Sequence, residues 1–198
     1  MMSDRVRRLA VPLLALLLGL GVLGGTLLLL GTRPEGGAGP SGIGGAYRLV
    51  DHTGRTVTEG DFQGRPHLVF FGFTHCPDVC PTTLFQISEV LNAAGPRGRD
   101  LRALFITVDP ERDTPEVMKS YISSFDERIV GLTGDRAAVD GAIKAFRAFS
   151  RKVPTKEGDY TMEHTSTVYL MDKRGAFVGS FPLSRAPEEA AKDLVRQL

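Results

Sequence analysis

The 198-residue sequence has almost no net charge and very few cysteines. Its 24 Lys and Arg side chains nearly balance its 23 Asp and Glu side chains, which leaves a net charge of +1. A protein that binds nucleic acid normally carries an excess of positive charge, so we exclude nucleic acid as a partner. The two cysteines of the chain, Cys76 and Cys80, are four positions apart. A disulfide between them would close so short a loop that it would remove little entropy from the unfolded chain, which argues against a purely structural bridge.

Charge is absent altogether from residues 9–32, which read LAVPLLALLLGLGVLGGTLLLLGT. An uncharged run of this length is enough to cross the hydrocarbon core of a bilayer as a helix. The run is longer than the apolar part of a cleavable signal peptide. No cysteine follows it closely enough to carry a lipid anchor. We therefore predict residues 9–32 to be a single transmembrane anchor.

Positive charges flank this run mainly on its amino-terminal side. Arg5, Arg7 and Arg8 precede it, whereas only Arg33 follows closely. Because the cytoplasmic flank carries the excess of positive charge, we predict residues 1–8 to be a cytoplasmic leader and the domain to lie on the other side. Nothing ahead of the run resembles an Arg- and Ser-rich transit sequence. This favours a bacterial inner membrane, with a single pass and the carboxyl-terminal domain in the periplasm.

Residues 33–45 connect the anchor to the rest of the chain and read RPEGGAGPSGIGG. A segment with so much glycine and proline cannot bury enough apolar surface to fold, so we predict a flexible tether. The remaining residues, 46–198, are a natural size for one domain with one core.

This domain alternates short apolar runs with segments whose apolar residues recur at helical spacing. Residues 67–73, HLVFFGF, form a continuous apolar run, as expected of a strand that is buried on both faces. A helix is predicted after this strand, with Pro81 at its first position, and a second helix has Thr114 as its amino-terminal cap. A third helix is predicted from about Asp135, with Phe149 among the residues on its apolar face.

The last third of the domain is predicted to contain a polar connection, a strand hairpin and a helix. Residues 150–160 are polar and include a glycine, so we predict a mobile segment there. The segments HTSTVYLMD and AFVGSFPL read as two strands joined at residues 173–175. Elements in this order predict an α/β, thioredoxin-like fold, with a central mixed sheet flanked by helices, behind a single amino-terminal transmembrane helix.

Cys76 and Cys80 come directly after the first buried strand and before its helix. Ligands of open α/β sheets bind at the carboxyl ends of the parallel strands, and a thioredoxin-like fold carries its thiol chemistry there. Thiols at the positive, amino-terminal end of a helix lose their protons more easily, so we expect thiolates. The spacing Cys-x-x-x-Cys allows a redox-active disulfide and equally allows both sulfurs to bind one metal ion.

A third ligand would favour the metal, and the candidate is His164, where the chain enters the first strand of the predicted hairpin. If that strand lies beside the strand that precedes the cysteines, the imidazole faces the two sulfurs. Soft thiolates together with an imidazole suit copper, as Cu(I) or Cu(II), whereas a structural zinc ion usually takes four protein ligands. Met162 is interpreted as a packing residue and Asp78 as an exposed one. We interpret His75 as lying beside the site at most.

Four segments occur in this order along the chain: GFTHCPDVCPTTL, TVDPERDTPEVMKSYISSF, IVGLTG and EHTSTVYLMD. Together they resemble the Sco/SenC family of copper proteins over residues 44–198. The resemblance implies a membrane-anchored metallochaperone that binds one copper ion through Cys76, Cys80 and His164. It also implies a role in assembling the CuA centre of cytochrome c oxidase subunit II. The expected partners are the CuA domain of that subunit and a periplasmic copper donor or thioredoxin-like reductase. Asp109, in the acidic segment, is expected either to approach the site or simply to end a strand.

Other functions remain open on the same residues. Cys76 and Cys80 could be the catalytic pair of a thiol-disulfide oxidoreductase that reduces the cysteines of the oxidase subunit, or the pair could sense redox state or copper. A peroxidase is disfavoured, because a peroxiredoxin places a threonine three residues before its reactive cysteine. Here Thr74 is two residues before Cys76. A glutathione-peroxidase-like site would need a tryptophan, which the sequence lacks.

Overall fold

The computed structural model describes residues 17–22, 26, 41–156 and 158–197. The chain divides into two compact units, Met1–Glu35 and Gly36–Leu198. In the first unit, residues 17–22 are helical. The second unit contains all of the strands and helices that concern the candidate site.

The predicted membrane segment falls mainly on residues that the structure leaves undescribed. The leader, residues 1–8, and most of the anchor, residues 9–32, lie outside the described residues, as does most of the tether, residues 33–45. Within the described ranges, no helix is both long enough and apolar enough to span a bilayer. The transmembrane anchor therefore stays a prediction.

The described part of the second unit contains nine strands and four α-helices. The strands are β1 (Arg48–Asp51), β2 (Thr56–Thr58), β3 (His67–Gly72), β4 (Arg102–Thr107), β5 (Ile129–Thr133), β6 (Ser150–Pro154), β7 (Tyr160–His164), β8 (Val168–Met171) and β9 (Phe177–Ser180). The helices are α1 (Val79–Ala93), α2 (Pro115–Ile122), α3 (Arg136–Ala145) and α4 (Pro187–Val195).

Seven of these strands form one mixed sheet in the order β2-β1-β5-β4-β3-β8-β9. Strands β3, β4 and β5 are parallel, and β1 and β8 join them in the antiparallel sense. Helix α1 connects β3 to β4 and helix α2 connects β4 to β5, as parallel neighbours require. Strands β6 and β7 pair only with each other, in a separate two-stranded sheet. The predicted α/β fold with a central mixed sheet and flanking helices is confirmed.

Strand β3 lies in the middle of the core. All six of its residues are buried, as expected for a parallel strand that is covered on both faces. The Phe70 ring stacks on Phe105 of the neighbouring strand, with ring centroids 6.0 Å apart. The carboxyl end of β3 pairs with β4 as far as Gly72, and the segment with the two cysteines begins there.

The predicted cap Thr114 is confirmed, but the predicted start of α1 is wrong. Thr114 accepts a hydrogen bond from the Val117 backbone N–H, and Asp135 caps α3 in the same way. Helix α1, however, begins at Val79, two residues before Pro81. A proline is tolerated at this third position because the first backbone N–H groups of a helix have no partner within the helix. Pro81 therefore lies in the first turn of α1, as predicted, but it is not the first residue of the helix.

The segment from Ser150 to Tyr160 was predicted as a polar, mobile connection without a strand, and the structure corrects only the secondary structure. Its mobility stays a prediction. Strand β6 occupies Ser150–Pro154, and β7 begins at Tyr160. The side chains of β6 are mostly exposed, so it lacks the apolar alternation that predicts a strand. Cross-strand pairs hold it instead, such as Arg151 with Glu163, whose charged groups are 2.6 Å apart. Phe149 was also misplaced, because α3 ends at Ala145 and the Phe149 side chain is 53% exposed.

Candidate metal centre

The two cysteines lie at the junction between β3 and α1 and differ in exposure. Cys76 is partly buried in the turn, whereas Cys80 lies in the first turn of α1 and is fully buried. The Cys80 backbone N–H points to the Cys76 sulfur at 3.4 Å. This N–H belongs to the free amino-terminal end of the helix, so it directs partial positive charge at that sulfur. Both thiols are free.

A glycine makes room for the Cys80 side chain. A Cβ atom on Gly72, the last residue of β3, would lie 2.7 Å from the Cys80 sulfur and 2.6 Å from the Phe105 ring. No real Cβ atom tolerates such distances. The Cys80 thiol can therefore rest against the end of the central strand because residue 72 has no side chain.

His164 ends β7 and approaches the cysteines from the small hairpin. The sequence placed it at the entry to the strand beside β3, but that strand, β8, begins only at Val168. The imidazole Nδ1 is 3.0 Å from the Thr165 carbonyl oxygen, to which it can donate a hydrogen bond. Donation from Nδ1 leaves the lone pair of Nε2 free on the side of the thiols. The ring packs edge-on against Phe73 and Phe70, at centroid distances of 5.8 and 6.3 Å.

The three predicted ligands are brought together. The Cys80 Sγ and His164 Nε2 atoms are 3.7 Å apart. The ligand atoms of Cys76, Cys80 and His164 all lie within 4.8 Å of one another. Ligands at metal bond lengths of about 2.0–2.3 Å are about 3.3–4.0 Å apart around one ion. In the part of the chain that the structure describes, this is the one cluster of histidine, cysteine and acidic side chains that could hold a metal ion.

One electrostatic expectation is wrong. The position of Cys80 at the start of a helix predicts a thiolate, but burial raises the pKa of the Cys80 thiol well above its usual range. Desolvation in the core therefore outweighs the helix amino terminus at this residue. A bound cation would supply the positive charge that the thiolate form needs, and metal binding would release the proton.

The sequence missed a buried carboxylate that fixes the cysteine segment. Asp113 has no solvent exposure. It accepts hydrogen bonds from the backbone N–H and the hydroxyl of Thr74, at 3.1 and 2.6 Å, and from the hydroxyl of Thr107. Burial raises the pKa of Asp113. The signal was present, because Asp113 lies in the acidic segment that follows a buried strand at the ligand-binding edge of the sheet.

The remaining candidates near the site lie as follows. Met162 is buried in the core, as its interpretation as a packing residue required, and Asp78 is exposed. The His75 side chain is half exposed, and its Nδ1 atom is 4.0 Å from the Asp113 carboxylate, outside the cluster of three ligands. Asp109 is buried and binds Arg112 and Tyr160. It lies two residues after the end of β4 and outside the cluster.

A mixed sheet flanked by helices, with two thiols at the end of a central parallel strand and an imidazole beside them, defines a thioredoxin-like domain with a candidate metal site. The chain belongs to the SCO1/SenC family, whose model matches residues 35–198.

Individual relatives agree with this assignment. The copper-bound structure of ScoI from Bradyrhizobium japonicum is 56% identical to this chain, with a TM-score of 0.77, and the match covers 79% of this chain and 99% of that one. The copper-bound structure of yeast Sco1 is 37% identical, with a TM-score of 0.71 and coverage of 78% and 87%. A SCO2-like protein of Rickettsia prowazekii is 34% identical over 197 residues, which are 95% of each chain. Copper, the predicted ion, is the one that both of these solved relatives hold.

Proposed function

We propose that this protein is a membrane-anchored copper metallochaperone that helps to assemble the CuA centre of cytochrome c oxidase subunit II. One copper ion would bind to Cys76, Cys80 and His164. The observation that carries this proposal is the approach of the three ligand atoms to within 4.8 Å of one another, from two separate parts of the fold. Two soft sulfurs and an imidazole suit copper in either oxidation state. The oxidase as recipient rests on membership of the family.

Metal titration of the full chain in detergent tests the ligand set. We expect one copper ion to bind per chain, and replacement of Cys76, Cys80 or His164 by alanine to weaken binding strongly. Asp78→Ala is the matched control, because this exposed residue lies between the two cysteines but outside the cluster. Unchanged copper affinity in His164→Ala would contradict the proposed ligand set.

A second candidate function is a thiol-disulfide oxidoreductase, which the free, adjacent thiols favour. The two thiols would become a disulfide while a disulfide of the oxidase subunit becomes two thiols, a transfer of two electrons. In a peptide reduction assay, Cys76→Ser and Cys80→Ser should abolish exchange, and His164→Ala should change it little. Copper transfer would instead need all three residues, so the His164 variant separates the two functions.

The location is part of the same proposal. Residues 9–32 would anchor the protein in a bacterial inner membrane, with residues 1–8 in the cytoplasm and the domain in the periplasm. External protease should then degrade the domain in sealed spheroplasts, because the domain would face the medium. Protection of the domain under those conditions would exclude this topology.

A further inference from the structure

The hairpin that carries His164 is not part of the central sheet. Strands β6 and β7 pair with each other and with no strand of the seven-stranded sheet. The ladder hydrogen bonds of the hairpin therefore do not fix where His164 lies relative to Cys76 and Cys80. That position depends on the short connection of residues 165–167 to β8 and on contacts between the hairpin and the rest of the domain.

Tyr160, the first residue of β7, makes several of these contacts. Its hydroxyl donates a hydrogen bond to the buried Asp109 carboxylate at 3.0 Å. The Arg112 guanidinium lies over the Tyr160 ring, 3.8 Å from its centroid, and donates a hydrogen bond to the Tyr160 carbonyl oxygen at 3.1 Å. Arg112 in turn pairs with Asp109. One tyrosine is thus held through its hydroxyl, its ring and its backbone.

The same arginine lies close to the residues that pack against the imidazole. The Arg112 guanidinium is 5.9 Å from the centroid of the Phe73 ring. The Phe73 ring meets the His164 ring at 5.8 Å, nearly perpendicular to it. Arg112 also lies on the short connection between β4 and α2 that carries Asp113. Asp113 binds Thr74, two residues before Cys76. Residues 109–113 therefore contact both the hairpin and the cysteine segment.

We propose that Arg112 and Tyr160 are positioning residues for the metal site. Residues 109–113, which we call the brace, hold the hairpin through Tyr160 and through the ion pair of Glu111 with Lys152 of β6. They hold the cysteine segment through Thr74, and so set the distance between His164 and the two sulfurs. Neither Arg112 nor Tyr160 contacts the ion. The inference rests on the proposed function, because it assumes that His164 binds copper.

A comparison of single and double variants of the full chain tests the brace. Tyr160→Phe keeps the ring below Arg112 and removes only the hydroxyl that binds Asp109. We expect it to weaken copper binding on the order of tenfold, as is typical when a group that orients a metal ligand is removed. In a His164→Ala background the same change should alter affinity by less than about twofold, because the ligand that it positions is gone.

Two further variants keep the test sharp. Arg112→Lys retains the positive charge but loses the planar guanidinium with its several N–H donors. It should also weaken copper binding only when His164 is present. Arg151→Ala is the control, since Arg151 is exposed on the same hairpin and pairs with Glu163 rather than with the brace. We expect it to leave affinity unchanged. The electron paramagnetic resonance spectrum of the Cu(II) form gives a second readout, in which Tyr160→Phe should weaken the nitrogen coupling from the imidazole.

The outcomes separate the two proposals. If wild type loses affinity on His164→Ala, but Tyr160→Phe weakens binding equally with and without His164, Tyr160 acts only on stability and the brace is wrong. An unchanged affinity and nitrogen coupling in both Tyr160→Phe and Arg112→Lys would overturn the brace as well. If His164→Ala has no effect in the wild-type background, the ligand set itself fails and the brace falls with it.

Discussion

Gly72 and Cys80 occupy the same small space at the end of β3, since a Cβ atom on Gly72 would lie 2.7 Å from the Cys80 sulfur. We expect Gly72→Ala to displace that sulfur, to weaken copper binding and to cost about 1–3 kcal/mol of unfolding free energy through overpacking. Copper titration and chemical denaturation measure the two effects. Gly179→Ala, in strand β9, is the control, because no atom lies within 4 Å of a Cβ atom there. Equal behaviour of the two variants would show that the close approach at Gly72 is unimportant.

Asp113 should matter more for stability than any exposed aspartate. Asp113→Ala would leave the buried hydroxyl of Thr107 and two donors of Thr74 without their acceptor, at a cost of about 3 kcal/mol. Copper affinity should also fall, because the cysteine segment loses its anchor. Denaturant unfolding provides the measurement. Asp140→Ala, which removes an exposed partner of Arg136, should cost less than about 1 kcal/mol. A similar loss in both variants would refute this role for Asp113.

The buried His67 predicts a loss of stability in mild acid. Burial lowers the pKa of His67, whereas in the unfolded chain its pKa is about 6.5. As the pH falls through that value, His67 becomes protonated in the unfolded chain but stays neutral in the folded protein. The unfolding free energy therefore decreases. We expect His67→Phe to lose less stability than wild type between about pH 7.5 and pH 5.5. Parallel stability curves for the two proteins would contradict this source of acid sensitivity.

Copper should slow hydrogen exchange in the small hairpin. If the ion holds His164 against the cysteines, the opening of strands β6 and β7 away from the domain becomes less frequent, and their amides exchange more slowly. Exchange followed by mass spectrometry, with and without copper, measures this. Helix α4 is the internal reference and should not change. The same protection of the hairpin in both forms would show that copper does not hold the hairpin against the domain.

The sequence predicted the features that a local pattern of residues specifies. The continuous apolar run of β3 and the helix cap Thr114 are local signals, and each appears in the structure as expected. The three predicted ligands also meet, although Cys80 and His164 are 84 positions apart. The strand placement used for His164 is wrong, because His164 ends β7 in the separate sheet. The family resemblance supplied the ligand set, since spacing alone left a metal site and a redox pair equally open.

The features that were missed depend on contacts that no local pattern contains. Residues 150–154 form a strand that is exposed on most of its side chains, so neither alternation nor hydrophobicity indicates it. The raised pKa of Cys80 reflects its complete burial, which only the packed structure reveals. The contact between Arg112 and Tyr160 joins positions 48 apart, and neither residue has a sequence signal that points to the other.

The separation of the hairpin from the main sheet sets how much of the protein must change when a ligand leaves. Because β6 and β7 pair only with each other, His164 can withdraw without breaking one ladder hydrogen bond of the seven-stranded sheet. Opening would then cost a small part of the free energy of global unfolding. Release of copper would then need only a local motion of β6 and β7, while β3, which supports the two sulfurs, stays in place.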